Sequence, residues 1–188
     1  MKQLKLILKY LKYIALIVFL AFLNNLSYSQ QVTLPKTDGV EDEMSFNTWI
    51  MYFTQLDSIE GEVTTEEKEV LLKKANLCFD WATKTGNKNQ ILTAKYYLLK
   101  AHYELLHHND ALKLAYELIE NKYFQERRDV IKVTSMVKKT YYKRNQYIEL
   151  VEFFPTYKRL NAKHGRIVPK SDHLNDGYLF RIHYKLKN

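Results

Sequence analysis

Between residues 44 and 163 apolar side chains return every three or four positions, in blocks separated by short polar or glycine-bearing breaks. That period belongs to amphipathic helices. The clearest block is Ala94 to Glu120. Leu98, Leu99, His102, Leu105 and Leu106 mark one helical stripe, and Ala111, Leu112, Leu114, Ala115, Leu118 and Ile119 mark a second. A turn is expected at His107–Asp110, with Asn109 or Asp110 as N-cap, because a short side-chain oxygen can accept an orphaned backbone N–H. So short a link predicts antiparallel helices, with Ala111 and Ala115 letting them approach closely.

Upstream, the pattern predicts a helix over about Met44–Ile59, with Trp49, Ile50, Phe53 and Leu56 on one face. Thr64 and Glu67 form a capping-box pair opening a second helix, about Thr65–Thr85, with Leu71, Ala75, Cys78, Trp81 and Ala82 along it and Gly86 as its stop. Downstream, Thr140–Phe154 aligns without gaps with Ala101–Ala115, an offset of 39 residues. Ile91/Val130, Leu92/Ile131, Leu98/Val137, Tyr103/Tyr142 and Leu112/Val151 pair at the same offset, a repeat of pattern more than of identity. The second and third pairs are expected over roughly 88–122 and 126–163. Pro155 falls inside the last helix, where it removes a backbone hydrogen bond and costs about 3 kcal/mol in a regular interior. Tyr157 and Leu160 continue the stripe, which predicts a kinked helix over a terminated one. After a loop at 165–173, Leu174–Lys187 reads as the first helix of a fourth unit.

On these residues the chain resembles the tetratricopeptide-repeat (TPR) family. Leu98 takes the large apolar site of the first helix, His102 its aromatic site, and Ala111 the small site opening the second helix; Tyr141 and Phe154 take the aromatic sites of the next copy. The period of 39 exceeds the roughly 34 residues of that family's unit. The resemblance implies an all-α fold, a right-handed superhelical array of antiparallel helix hairpins (an α-solenoid) of about three and a half hairpins. It also implies a groove, lined by the first helices, that takes a protein or peptide partner.

The first 43 residues carry another signal. Lys2, Lys5, Lys9 and Lys12 precede the uncharged run Tyr13–Leu23, and small residues stand at Ser27 and Ser29. This is a signal-peptide pattern over 1–29, with cleavage expected after Ser29. The alternative is an uncleaved anchor in the inner membrane, since with the leader's leucines counted in the segment nearly reaches the about 20 residues a span needs. Residues 30–43 read as a polar linker and 44–188 as the repeat domain. The chain carries a net +8. Without the leader the rest is only +4, too mild to argue nucleic-acid binding. The charge is uneven: residues 30–121 hold 9 basic and 15 acidic side chains, residues 122–188 hold 16 and 6. A solvated lysine-rich face accounts for that asymmetry, and an anionic partner or lipid surface near the basic half is the alternative.

Candidate chemistry is sparse. Cys78, the only cysteine, sits in an apolar stripe and is expected to be core. His102, His107 and His108 do not have the three- or four-residue spacing of helical metal ligands, so His102 is expected half-buried and the other two exposed in a turn. Asp172–Gly177 lacks the alternating acids of a calcium loop. There is no glycine-rich phosphate loop or nucleophile elbow. The expectation is therefore a non-catalytic protein–protein interaction scaffold acting outside the cytoplasm, in the periplasm or cell envelope, without metal or cofactor. Tyr96, His102, Tyr103, Lys138, Tyr141 and Tyr142 are its candidate groove residues. The alternative is the sensory front part of a regulator of the kind found in Bacteroidota-type bacteria, whose kinase or DNA-binding domain lies elsewhere.

Overall fold

The computed structural model describes residues 34–35, 38–57 and 63–166. The expected leader over 1–29 and the expected helix over 174–187 lie outside the described residues. The chain divides into two compact units, Met1–Lys36 and Thr37–Asn188.

The described residues form seven helices and no strand: α1 (Glu43–Leu56), α2 (Thr65–Thr85), α3 (Lys88–Glu104), α4 (His108–Glu120), α5 (Lys122–Gln125), α6 (Asp129–Lys143) and α7 (Tyr147–Lys163). Local chemistry sets most of their starts. Asp42 caps α1 by accepting from the Ser45 N–H at 2.7 Å, and the Ser45 hydroxyl oxygen accepts from the Asp42 N–H. The expected box at α2 is present, with the Glu67 N–H donating to Thr64 Oγ1 and the Thr64 N–H donating to Glu67 Oε2. The oxygens of Asn87 and Asn121 cap α3 and α5. Gly86, at φ 73°, ends α2 in the left-handed conformation.

Three helices end in one device. At the end of α3 the His107 N–H donates to the His102 carbonyl at 2.9 Å, and the Leu106 N–H to that of Tyr103 at 3.1 Å. Leu106 lies between, at φ 60°. This is a Schellman motif, in which a left-handed residue lets two N–H groups turn back onto the last carbonyls. The end of α6 repeats it 39 residues on, with Gln146 to Tyr141 at 2.9 Å, Asn145 to Tyr142 at 3.1 Å, and Asn145 at φ 58°. The end of α7 has it a third time, with Arg166 to Asn161 and Gly165 to Ala162.

The core follows the stripes. Trp49, Phe53, Ala75, Cys78, Ala82, Ala94, Leu98 and Leu99 are buried, as are Ala111, Ala115, Leu118, Val130, Val133, Val137, Phe153, Tyr157 and Leu160. The offset of 39 holds for burial at some positions, pairing Ala94 with Val133, Leu98 with Val137, Ala101 with Thr140 and Leu118 with Tyr157, but not at others: Ile119 is buried and Lys158 exposed. Helix α3 packs on α2 and α4, α4 on α6, and α6 on α7, while α1 packs on α2 and α3.

Four expectations need correction or sharpening. Helix α3 stops at Glu104, so Leu105 and Leu106 belong to the turn instead of the stripe. Helix α4 starts at His108, with His107 as an N-cap that makes no side-chain cap bond. Asn109 instead accepts from the Arg144 guanidinium at 2.7 Å, and Asp110 lies in the first turn of the helix. Helix α5 was hidden by its brevity, although it carries the fully buried Phe124. Helix α7 runs through the exposed Pro155 to Lys163. Among the described residues no helix is long and apolar enough to cross a membrane.

Candidate functional site

The six residues expected to line a groove divide in two. Tyr96 and Tyr141 are core, 2% and 7% exposed. The Tyr96 ring packs against Tyr97 and Phe124, with centroids 5.1 and 6.3 Å away, and burial pushes its phenol well above the usual range. Tyr141 meets the Tyr116 hydroxyl at 2.8 Å and sets its ring edge-on to Phe153. Neither presents its ring to a partner: both lie on the apolar stripe of their helix, where packing claims a large side chain first. His102, Tyr103, Lys138 and Tyr142 are half-buried. Lys143 lies over the Tyr103 ring at 5.8 Å, Lys138 over the Tyr157 ring at 4.7 Å, and Tyr142 stands edge-on to Tyr147 at 6.3 Å. Each of these keeps part of its surface outward.

A pocket of about 290 Å³ opens beside α1, α2 and α3, lined in part by Phe53, Leu71, Tyr97, Lys100 and Glu104. On its wall Asp57, at the end of α1, pairs with Lys100 from α3 and with Lys132 from α6, the latter at 3.3 Å. The Asp57 side chain is only 12% exposed. Burial brings the Lys100 ammonium down to about 8, with Glu104 opposing that shift and Lys132 adding to it. At the rim Lys68 lies 3.9 Å from Glu104. The Thr54 and Tyr97 hydroxyls meet at 2.6 Å. The pocket's most shifted cation thus already has an acidic partner. Nothing in the chain's period points to Asp57, because Lys100 and Lys132 stand 43 and 75 residues away.

A second cluster lies at the turn between α3 and α4. His102 Nδ1 and His107 Nδ1 are 3.3 Å apart, and the carboxylate of Asp110 joins them, with all three ligand-type atoms within 4.8 Å of one another. The five-residue spacing that argued against a His102–His107 pair applies only within a continuous helix. The Schellman motif supplies the exception, since it juxtaposes the residue three from the helix end with the residue after the left-handed position. Those residues are His102 and His107. Asp110 joins because an N-cap residue faces the third residue of its helix. Burial lowers the basicity of His102, with Asp110 opposing that shift and His107 adding to it. His107 and Asp110 are exposed.

No protein-family model matches the chain, and no curated protein or solved structure matches it.

Proposed function

We propose that this chain is a non-catalytic scaffold of TPR-like helix pairs stacked in succession, which holds a protein or peptide partner on the face formed by its first helices. The observation that carries this reading is the recurrence at 39 residues. The same capping turn closes α3 and α6, and some of the same positions, among them Ala94 and Val133, Leu98 and Val137, and Ala101 and Thr140, are buried in both. A chain built by repeating a helix pair buries a continuous core between neighbours and leaves an extended face for binding. Helix contacts that run mainly between successive elements support the same reading.

Most of the strongly shifted groups are buried ones moved away from a reactive form; the exception, Lys100, is held by the Asp57 carboxylate. The Cys78 thiol is pushed up to about 12 by burial, and it is fully enclosed. The phenols of Tyr96 and Tyr116 are raised chiefly by the same cause. An activated group would show the opposite combination, exposure with a shift toward the reactive form. The signal-peptide pattern of the first 29 residues supports work outside the cytoplasm, and a mature protein beginning at Gln30 is the corresponding expectation for N-terminal sequencing.

The binding face is tested at Tyr103 and Tyr142, which occupy equivalent places in α3 and α6. Changing both to alanine should cut recovery of crosslinked partner from the host's envelope fraction several-fold, with the thermal melt of the protein itself little changed. Undiminished recovery would remove this face from the binding role. A large fall in melting temperature would assign the two rings to the core.

A further inference from the structure

We propose that His102, His107 and Asp110 form a binding site for a divalent transition-metal ion of the Zn²⁺ class. Two imidazole nitrogens and one carboxylate oxygen are the donor set of three-ligand zinc sites, with a fourth position left to water or to a group from outside. Two zinc–nitrogen bonds of about 2.0–2.1 Å at a tetrahedral angle span about 3.3–3.4 Å between their nitrogens. The two Nδ1 atoms stand 3.3 Å apart. In the metal-free chain the same separation is met by a ring-to-ring hydrogen bond, which an ion would replace. A carboxylate oxygen of Asp110 lies within 4.8 Å of a ring nitrogen of each histidine.

The backbone holds the site open. His102 sits on the last turn of α3 and is half-buried, and His107 is fixed by its N–H bond to the His102 carbonyl. Neither imidazole has to give up a helix-capping bond to reach an ion, because His107 makes none. The second turn of the chain shows what the same backbone does with other side chains. There the equivalent residues are Tyr141, Gln146 and Glu149, and the Gln146 amide donates to the Glu149 carboxylate at 3.1 Å. The first turn thus differs in chemistry and not in geometry: two nitrogens that can each lend a lone pair stand where a phenol and an amide stand in the second. Imidazole selects zinc, copper, nickel or cobalt over magnesium and calcium, which prefer all-oxygen shells.

Cobalt(II), added to the full-length chain, is a suitable probe. One equivalent should bind, giving a visible absorption band that Zn²⁺ abolishes and Mg²⁺ does not. His107→Gln, the residue found at the equivalent place in the second turn, and Asp110→Asn should each weaken binding at least about tenfold, a loss typical even of residues that only orient a ligand. Both positions are exposed, so circular dichroism should show an unchanged fold, which makes these two variants a cleaner test than any change at the half-buried His102. His164→Gln, whose ring meets the Gln125 carbonyl instead, should bind cobalt as the unaltered chain does. The absence of any saturable equivalent in the unaltered chain would overturn the proposal. So would cobalt affinity that survives both His107→Gln and Asp110→Asn.

Discussion

Leu106 holds a left-handed backbone that a branched, non-glycine residue adopts at a cost of about 1–2 kcal/mol. Its side chain is 59% exposed and returns little by burial. Glycine would remove the strain while adding about 0.5–1 kcal/mol of unfolded-state freedom. Leu106→Gly should therefore stabilise the protein by roughly 0.5–1 kcal/mol, read as a higher urea midpoint at unchanged slope. Asn145 holds the same conformation, but asparagine tolerates it better, so Asn145→Gly should gain less. An equal gain at both positions would show that the cost at Leu106 lies elsewhere.

At the scale of elements, the boundaries that rest on short-range chemistry were legible and those that rest on context were not. Thr64 with Glu67 and Gly86 at a helix end are signals that a few neighbouring residues complete, and both ends of α2 are where they point. The end of α3 is different. Leu105 and Leu106 continue the apolar spacing, and nothing in a leucine announces a left-handed turn. The mistaken N-cap at Asn109 or Asp110 follows from that one misplacement. The six groove candidates failed to separate for a related reason: helical spacing tells which face a tyrosine occupies but not how deeply the next helix covers it. Helix α5 escaped because four residues are too few to show a period. Its weight is nevertheless large, since Phe124 is fully buried beside Tyr96 and under the Arg127 guanidinium. Phe124→Ala should cost about 3–5 kcal/mol in urea denaturation, the range for deleting a core aromatic. A loss below about 1 kcal/mol would mean that the short helix is an ornament and not part of the core.

Among the described helices most packing joins neighbours in sequence, and Asp57 departs from that rule. Its carboxylate gathers Lys100 and Lys132, so one side chain ties α1 to α3 and α6. Removing it leaves two ammonium groups without their shared counter-charge. Breaking a fully buried pair costs about 3–5 kcal/mol, and the partial exposure of both lysines brings the figure for Asp57→Ala down to about 2–3 kcal/mol. Raising the salt concentration should narrow the gap between this variant and the parent, because the exposed half of the pairing is screened. Unfolding of the variant should also become less cooperative, since α1 would lose this tie to α6. A stability equal to the parent's would show that the pairings contribute nothing net.

The recurring turn has one more consequence. Once a chain holds the same backbone corner more than once, the corners no longer have to serve the same ends. One can keep to holding its helices together, as Tyr141 does through Tyr116 and Phe153. Another carries His102 and His107, whose rings meet each other across the turn. Where the corner after α6 is given over to packing, the corner after α3 leaves His107 exposed beside a half-buried His102, so two corners of one backbone shape carry different chemistry.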